Sequence, residues 1–203
     1  IVSDGAHSSE CQTVCEQKSV TYITSPRGRG LQLNVGAQHA QGSTLWFLHA
    51  DSEITALAKT QIENAITHGF EAGCFKFQLS GPPTLFRSLF NAITNLRVSF
   101  STPYGDQGIF IRKDLFEYYH GFESIPLFEE VALLRNIKKN HPFTTLPSGV
   151  YVNPRKWERE GWVRTTIKNR LYTLLYKVGI SPNTLARWYR ASDHQSTEVT
   201  NAG

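Results

Sequence analysis

Short apolar runs alternate along this chain with longer stretches in which apolar residues recur every third or fourth position. The first pattern suits buried strands and the second suits helices with one apolar stripe. Their alternation predicts an α/β sandwich around a mostly parallel sheet. Strands are expected at Ile1 to Ser3, Val20 to Thr24, Leu45 to His49, Cys74 to Leu79, Gly108 to Arg112 and Thr144 to Val152. Helices are expected at Ser9 to Lys18, Leu31 to Ala40, Thr55 to His68, Thr84 to Ser99, Lys113 to Tyr119, Leu127 to Lys139, Trp162 to Val178 and Thr184 to Arg190. Pro82, Pro83, Pro103, Pro142 and Pro182 fall between these elements, where a missing N–H does least harm. Residues 191–203 offer little to bury and are expected to form a flexible tail behind one domain spanning 1–190.

At 203 residues, with 40% hydrophobic and 19% charged positions, the chain can bury one core and is too poor in charge to be disordered. No stretch approaches the roughly 18 apolar residues of a membrane-spanning helix. The three cysteines, Cys11, Cys15 and Cys74, form neither a disulfide framework nor a metal hook, which suits a reducing, cytoplasmic setting. The net charge of +4 is uneven: residues 1–150 hold 12 basic and 13 acidic groups, whereas 151–203 hold 9 and 4. The first residues read as the end of a strand entering a turn, so part of the natural chain is expected to precede Ile1.

In open parallel sheets, ligands sit beyond the carboxyl ends of the strands. Asp4 follows the first apolar run, Arg27 and Arg29 the second, and His49-Ala50-Asp51 the third; Asp106-Gln107 precedes the fifth. Acidic and basic groups therefore converge on one rim, as a phosphorylated ligand held through a divalent cation would require. His49 and Asp51 are two apart and share one side of an extended chain. Asp51 suits Mg²⁺ or Mn²⁺ as a hard oxygen ligand, or caps the next helix; His49 is a ligand or a hydrogen-bonded core residue. The loop Ser25-Pro26-Arg27-Gly28-Arg29-Gly30 leads into a helix carrying Asn34, and amides at a helix start with guanidinium groups suit a diphosphate, although solvated Arg-Gly turns are common. Glu129 and Glu130 open the helix starting near Pro126, where acids oppose the macrodipole; on a helix they point about 100° apart, so at most one faces a given pocket. Either could act as a base toward a hydroxyl. The segment 153–161, with Arg155 and Trp157, either closes over an anion or forms a surface loop. In 162–178, Val163, Ile167, Leu171, Leu174, Leu175 and Val178 form an apolar face with Arg164, Lys168, Arg170 and Lys177 along its borders. That pattern fits packing against the domain or a helix lying on an anionic membrane.

Six segments in this order resemble a family 2 glycosyltransferase of the GT-A fold: Asp4-Gly5, Arg27 to Ala37, Phe47 to Asp51, Tyr104 to Gly108, Pro126 to Val131, and Arg155 to Glu158. More closely, they resemble a bacterial subgroup found beside radical-SAM and selenium- or arsenic-associated genes. The resemblance covers residues 1 to about 190. It implies a Rossmann-like, mostly parallel sheet flanked by helices, whose first strand and helix would precede Ile1. It further implies an inverting displacement at the anomeric carbon of a nucleotide-diphosphate sugar, with Mg²⁺ or Mn²⁺ neutralising the departing diphosphate. Asp4 looks like the carboxylate for base and ribose. Gly5, Arg27, Arg29, Asn34, His49 and Asp51 complete the donor site, with Asp51, joined by His49, at the metal. Glu130 falls at the catalytic base with Glu129 beside it, and Asp106, Gln107, Arg155 and Trp157 lie toward the acceptor.

The sequence departs from that pattern in several places. His49 stands where the first acid of the metal motif is usual, Glu130 where Asp is usual, and Ala6-His7-Ser8-Ser9 lacks the second acid of the turn after Asp4 unless Glu10 substitutes. A non-catalytic nucleotide-sugar-binding or scaffold remnant of the same fold is therefore the competing expectation. The acceptor is open, a lipid-linked one included, with peripheral membrane contact through 162–178. The C-terminal basicity lacks any basic motif interleaved with aromatics, which argues against a nucleic-acid partner.

Overall fold

The computed structural model describes residues 1–147 and 149–189, and the expected tail and Arg190 lie outside them. The described residues divide into two compact units, one comprising Ile1–Ser124 with Glu129–Asn153, the other Ile125–Phe128 with Pro154 onward.

The first unit opens with β1 (Val2–Asp4), α1 (Ser9–Gln17), β2 (Tyr22–Thr24), α2 (Arg29–His39) and β3 (Thr44–Phe47). It continues through β4 (Glu53–Ile54), α3 (Ala58–Thr67), β5 (Ala72–Phe75), α4 (Leu85–Phe100) and β6 (Ile109–Arg112). α5 (Lys113–Tyr118), α6 (Val131–Asn140), β7 (Phe143–Leu146) and β8 (Val150–Tyr151) close it. β1 and β2 pair in parallel, with Ser3 opposite Ile23. A second sheet has the order β3-β6-β5-β7, and β4 pairs antiparallel with β8. β6 runs antiparallel to both β3 and β5, whereas β5 and β7 are parallel, so β3, β5 and β7 share one direction. The sheet is thus mostly parallel with β6 reversed.

Alternating side chains divide the core. Ile109, Ile111, Leu45 and Phe47 join Leu133, Leu134 and Ile137 of α6 in one apolar cluster. Phe110 and Phe75 join Ala58, Ile62 and Ala65 of α3 in the other. α2 underlies both strand groups: Gly36 lies against Ser3 of β1, and Ala37 packs with Leu45 and Phe47. A cleft of about 640 Å³ lies between β1 and β3, with α2 along it. Among the described residues no pairing joins these strands, and the Ser3 carbonyl instead accepts a hydrogen bond from Gln32 Nε2 at 3.0 Å.

Several expected boundaries move. The strand expected over Cys74 to Leu79 forms two residues earlier, as β5, and ends at Phe75. The strand expected over Thr144 to Val152 breaks into β7 and β8 at Gly149, where a side chain would run into the Phe75 ring. The helix expected from Thr55 starts at Ala58, after β4. The helix expected from Leu127 starts at Val131, because Phe128 sits at φ 65, outside the helical region.

In the second unit, α7 (Arg155–Glu160) and α8 (Trp162–Lys177) are followed by a helical stretch over 182–189. The segment read from sequence as an anion-closing or surface loop is thus helical over Arg155–Glu160. Phe128 stacks on Tyr176 with centroids 4.6 Å apart, and Leu185 and Thr165 are buried. Of the apolar arc of α8, open in the sequence to packing or to a membrane surface, Val163, Ile167, Leu171, Leu174 and Val178 are half exposed or more, whereas Leu175 is half-buried. Among the described residues, no helix is long and apolar enough to cross a membrane.

Candidate active site

The rim forms where β1, β2 and β3 end and α2 begins. Gly28, at φ 141, turns the chain into α2, and Arg27 Nε donates to the Gly5 carbonyl at 3.3 Å. Gly30 lets the first turn of α2 lie on the loop before α6, since a Cβ there would meet the Glu123 carbonyl oxygen and come within 3.3 Å of Glu129 Cβ.

Asp4 uses its carboxylate to build the turn after β1. Oδ1 accepts from the Ala6 amide and Oδ2 from the Ser8 amide, each at 2.7 Å, and the Tyr22 hydroxyl donates to Oδ2 at 3.0 Å. The Ser8 and Ala6 amides hold its pKa below the ordinary aspartate value. Asn34 likewise works inside the fold: its amide donates to the Phe122 carbonyl and accepts from the Phe122 N–H, both at 2.9 Å. That pair ties α2 to the loop leading to Glu129.

Arg29 organises the centre. Its Nε lies 2.8 Å from Glu129 Oε1 as an ion contact, without the alignment of a hydrogen bond, and its Nη2 bonds His49 Nε2. Arginine only donates, so His49 Nε2 accepts and the ring is neutral with its proton on Nδ1. Burial, reinforced by the Arg29 charge and opposed by Asp51, pushes the His49 pKa down to about 4. Gly105 makes room for this contact, because a Cβ there would strike the Arg29 guanidinium and lie 2.9 Å from His49 Nε2.

Glu129 and Glu130 are both buried. The expectation that only one faces a given pocket fails because neither lies within the helix: Glu130 is the N-cap of α6 and Glu129 precedes it. Both line one small pocket with Arg29, His49, Gly105 and Phe122. Glu130 Oε1 accepts from the Gly105 amide at 3.2 Å, whereas its Oε2 is buried without a hydrogen-bond partner among the described residues. Burial, reinforced by the Glu130 charge and countered by Arg29, raises the Glu129 pKa.

Asp51 is exposed and follows β3. It does not cap a helix, since β4 stands between it and α3, whose N-cap is Leu57. Among the described residues no three His, Cys, Asp or Glu side chains converge as a metal cluster. Gln107 is 1% exposed; its Nε2 donates to the Phe75 carbonyl at 2.9 Å and its Oε1 accepts from the Tyr104 amide at 3.2 Å. It therefore fastens the loop carrying Gly105 and half-buried Asp106 to β5. Arg155 and Trp157 lie on α7 in the second unit, where Trp157 stacks with Trp162 at 6.2 Å. Gly105 and Tyr22 were not singled out from sequence. The first sits within the Tyr104 to Gly108 motif, and the second has no local signal because it reaches Asp4 only through strand pairing.

No known family profile matches the sequence, and no curated protein matches it. Solved structures do resemble it. A mannosyltransferase from Pyrobaculum calidifontis, determined with GDP-Man and Mn²⁺, aligns over 72% of this chain and 44% of its own at 19% identity and a TM-score of 0.52. Residues 1–349 of TarS from S. aureus align over 90% and 57% respectively, at 13% identity and a TM-score of 0.57. Glucosyl-3-phosphoglycerate synthase from Mycobacterium tuberculosis, in complex with phosphoglyceric acid, aligns over 89% and 69% at 16% identity and a TM-score of 0.56. The chain thus has the GT-A glycosyltransferase fold, and it spans less than half of the mannosyltransferase.

Proposed function

We propose that the chain transfers a sugar from a nucleotide-diphosphate donor to an acceptor hydroxyl with inversion at the anomeric carbon. The observation that carries this reading is the pocket in which two buried carboxylates meet Arg29 and a neutral His49, at the rim where the GT-A fold carries its donor. Glu130 is the general base: its buried, unpartnered Oε2 takes the hydroxyl proton while that oxygen bonds the anomeric carbon and the bond to the diphosphate breaks, its electron pair leaving with the diphosphate. Glu129 holds Arg29, whose guanidinium is the cationic group this rim offers to a diphosphate.

Exposed Asp51 with neutral His49 two residues away suits Mg²⁺ or Mn²⁺, which retain water and complete their shell with diphosphate oxygens. When bound, the cation offsets the charge of the leaving diphosphate. Asp51 would hold the cation, and His49, whose Nε2 is engaged by Arg29, would be the neighbouring nitrogen donor. The narrower placement beside radical-SAM and selenium- or arsenic-associated genes rests on the sequence motifs alone. A second reading, a nucleotide-sugar-binding remnant without turnover, is favoured by the use of Asp4 in its own turn.

Released nucleoside diphosphate, measured over a panel of UDP- and GDP-sugars with Mn²⁺, separates the two. The transfer reading expects turnover that Glu130→Gln lowers by about 10²- to 10⁴-fold with donor affinity kept, while Asp51→Ala weakens metal-dependent donor binding in calorimetry. Binding without release in any donor establishes the remnant, and parent rates in both variants refute the site.

A further inference from the structure

α8 turns the wrong face to water for a helix that belongs to a core. Its inward side carries Thr165, 1% exposed, together with Tyr172 and Tyr176, which pack on Tyr189 and Phe128. Its outward side carries Val163 (72% exposed), Ile167 (62%), Leu171 (50%), Leu174 (57%) and, at the C-cap, Val178 (68%). At 100° per residue these five fall within an arc of about 80°, along a helix about 24 Å long. The borders of the arc are basic: Arg164 and Lys168 lie on one side, Arg170 and Lys177 on the other. From Gly161 to Tyr189 the chain holds five Lys and Arg, counting Arg187, and no Asp or Glu. Trp188, on the following helical stretch, is 49% exposed, and tryptophan favours the boundary between lipid and water.

We propose that α8 is a peripheral membrane anchor that lies flat on an anionic lipid surface, with the Val163-to-Val178 arc among the acyl chains and Arg164, Arg170 and Lys177 against the headgroups. The charge borders select lipid over a second copy of the chain, because two such faces would bring basic rows of like sign together. α4 carries an exposed arc of its own, with Leu85, Leu89, Ile93 and Leu96, but Arg87 bonds inward to the Ser80 carbonyl, so among its described side chains none specifies an anionic surface. The anchor is independent of sugar transfer, and it would hold the chain beside acceptors that are themselves in the membrane.

The test is co-sedimentation of the whole chain with vesicles of phosphatidylcholine alone or mixed with phosphatidylglycerol, at about 0.05 and 0.5 M salt. Binding is expected to be at least about tenfold stronger on anionic vesicles and to fall with salt. The triple variant Arg164→Gln/Arg170→Gln/Lys177→Gln should weaken it by about a hundredfold, since each cation contributes about fivefold. Ile167→Gln/Leu171→Gln/Leu174→Gln should abolish it with the circular dichroism melt unchanged, because these side chains are already half exposed or more. Equal binding to neutral and anionic vesicles, or parent binding by either triple variant, overturns the proposal. So does a dimer in size-exclusion light scattering that the apolar variant converts to monomer while no vesicle binding is seen, for then a second copy covers the arc. None of these readouts depends on sugar transfer.

Discussion

Replacing Glu129 by glutamine isolates the cost of one buried charge. The carboxylate side chain is 3% exposed and lies beside Glu130, and its attraction to Arg29 works through a side chain that is itself 45% exposed. Burial and the neighbouring carboxylate together outweigh the guanidinium, so the folded protein raises the Glu129 pKa. An acid whose folded-state pKa is raised favours folding below its ordinary pKa, and that contribution is lost as pH rises through the raised value. Glutamine keeps the shape without the charge and escapes this loss. The desolvation of an ion is offset here by a half-exposed contact worth no more than about 1 kcal/mol, which leaves a net gain on the order of 1 kcal/mol for Glu129→Gln at neutral pH. In a chain of this size that corresponds to a rise of about 2–4 °C in Tm. Thermal melts of parent and variant from about pH 4 to pH 8 read it directly, the curves coinciding at the acid end and separating as pH rises. A variant less stable than the parent at neutral pH, or a constant offset at every pH, would refute the assignment of a destabilising buried charge.

Two further perturbations test the frame around the pocket. Asp4→Ala should lower Tm at neutral pH by freeing the Ala6 and Ser8 amides and the Tyr22 hydroxyl; because the Asp4 pKa is depressed, the loss should vanish as pH falls through that lowered value, and a deficit that persists in acid would show that the turn does not depend on the charge. Gln107→Ala leaves the Phe75 carbonyl and the Tyr104 amide unpaired beside a new cavity, and should cost about 2–4 kcal/mol in a urea titration; a cost below about 1 kcal/mol would mean that the loop bearing Gly105 is held by other contacts.

The period of the apolar residues determined most strands and helices, because Ile109, Phe110 and Ile111 or Leu45, Trp46 and Phe47 can alternate between two cores only as strands. The polar residues behind those strands could be named for the same reason, since a strand that ends at a rim presents whatever follows it. Pattern alone could not say which of these groups meet. Asn34 and Phe122 are 88 residues apart and bond through tertiary packing. Glu129 and Glu130 share a pocket because Phe128, at a positive φ, keeps them outside α6. Asp4 and Gln107 look like free ligands in the sequence, yet their polar atoms are used by backbone groups that the fold brings to them. Periodicity also showed that α8 has an apolar face without showing where it points. A period measures only the angle between side chains around the helix axis. The direction of the face depends on what packs behind it, and here Thr165, Tyr172 and Tyr176 take the inward side.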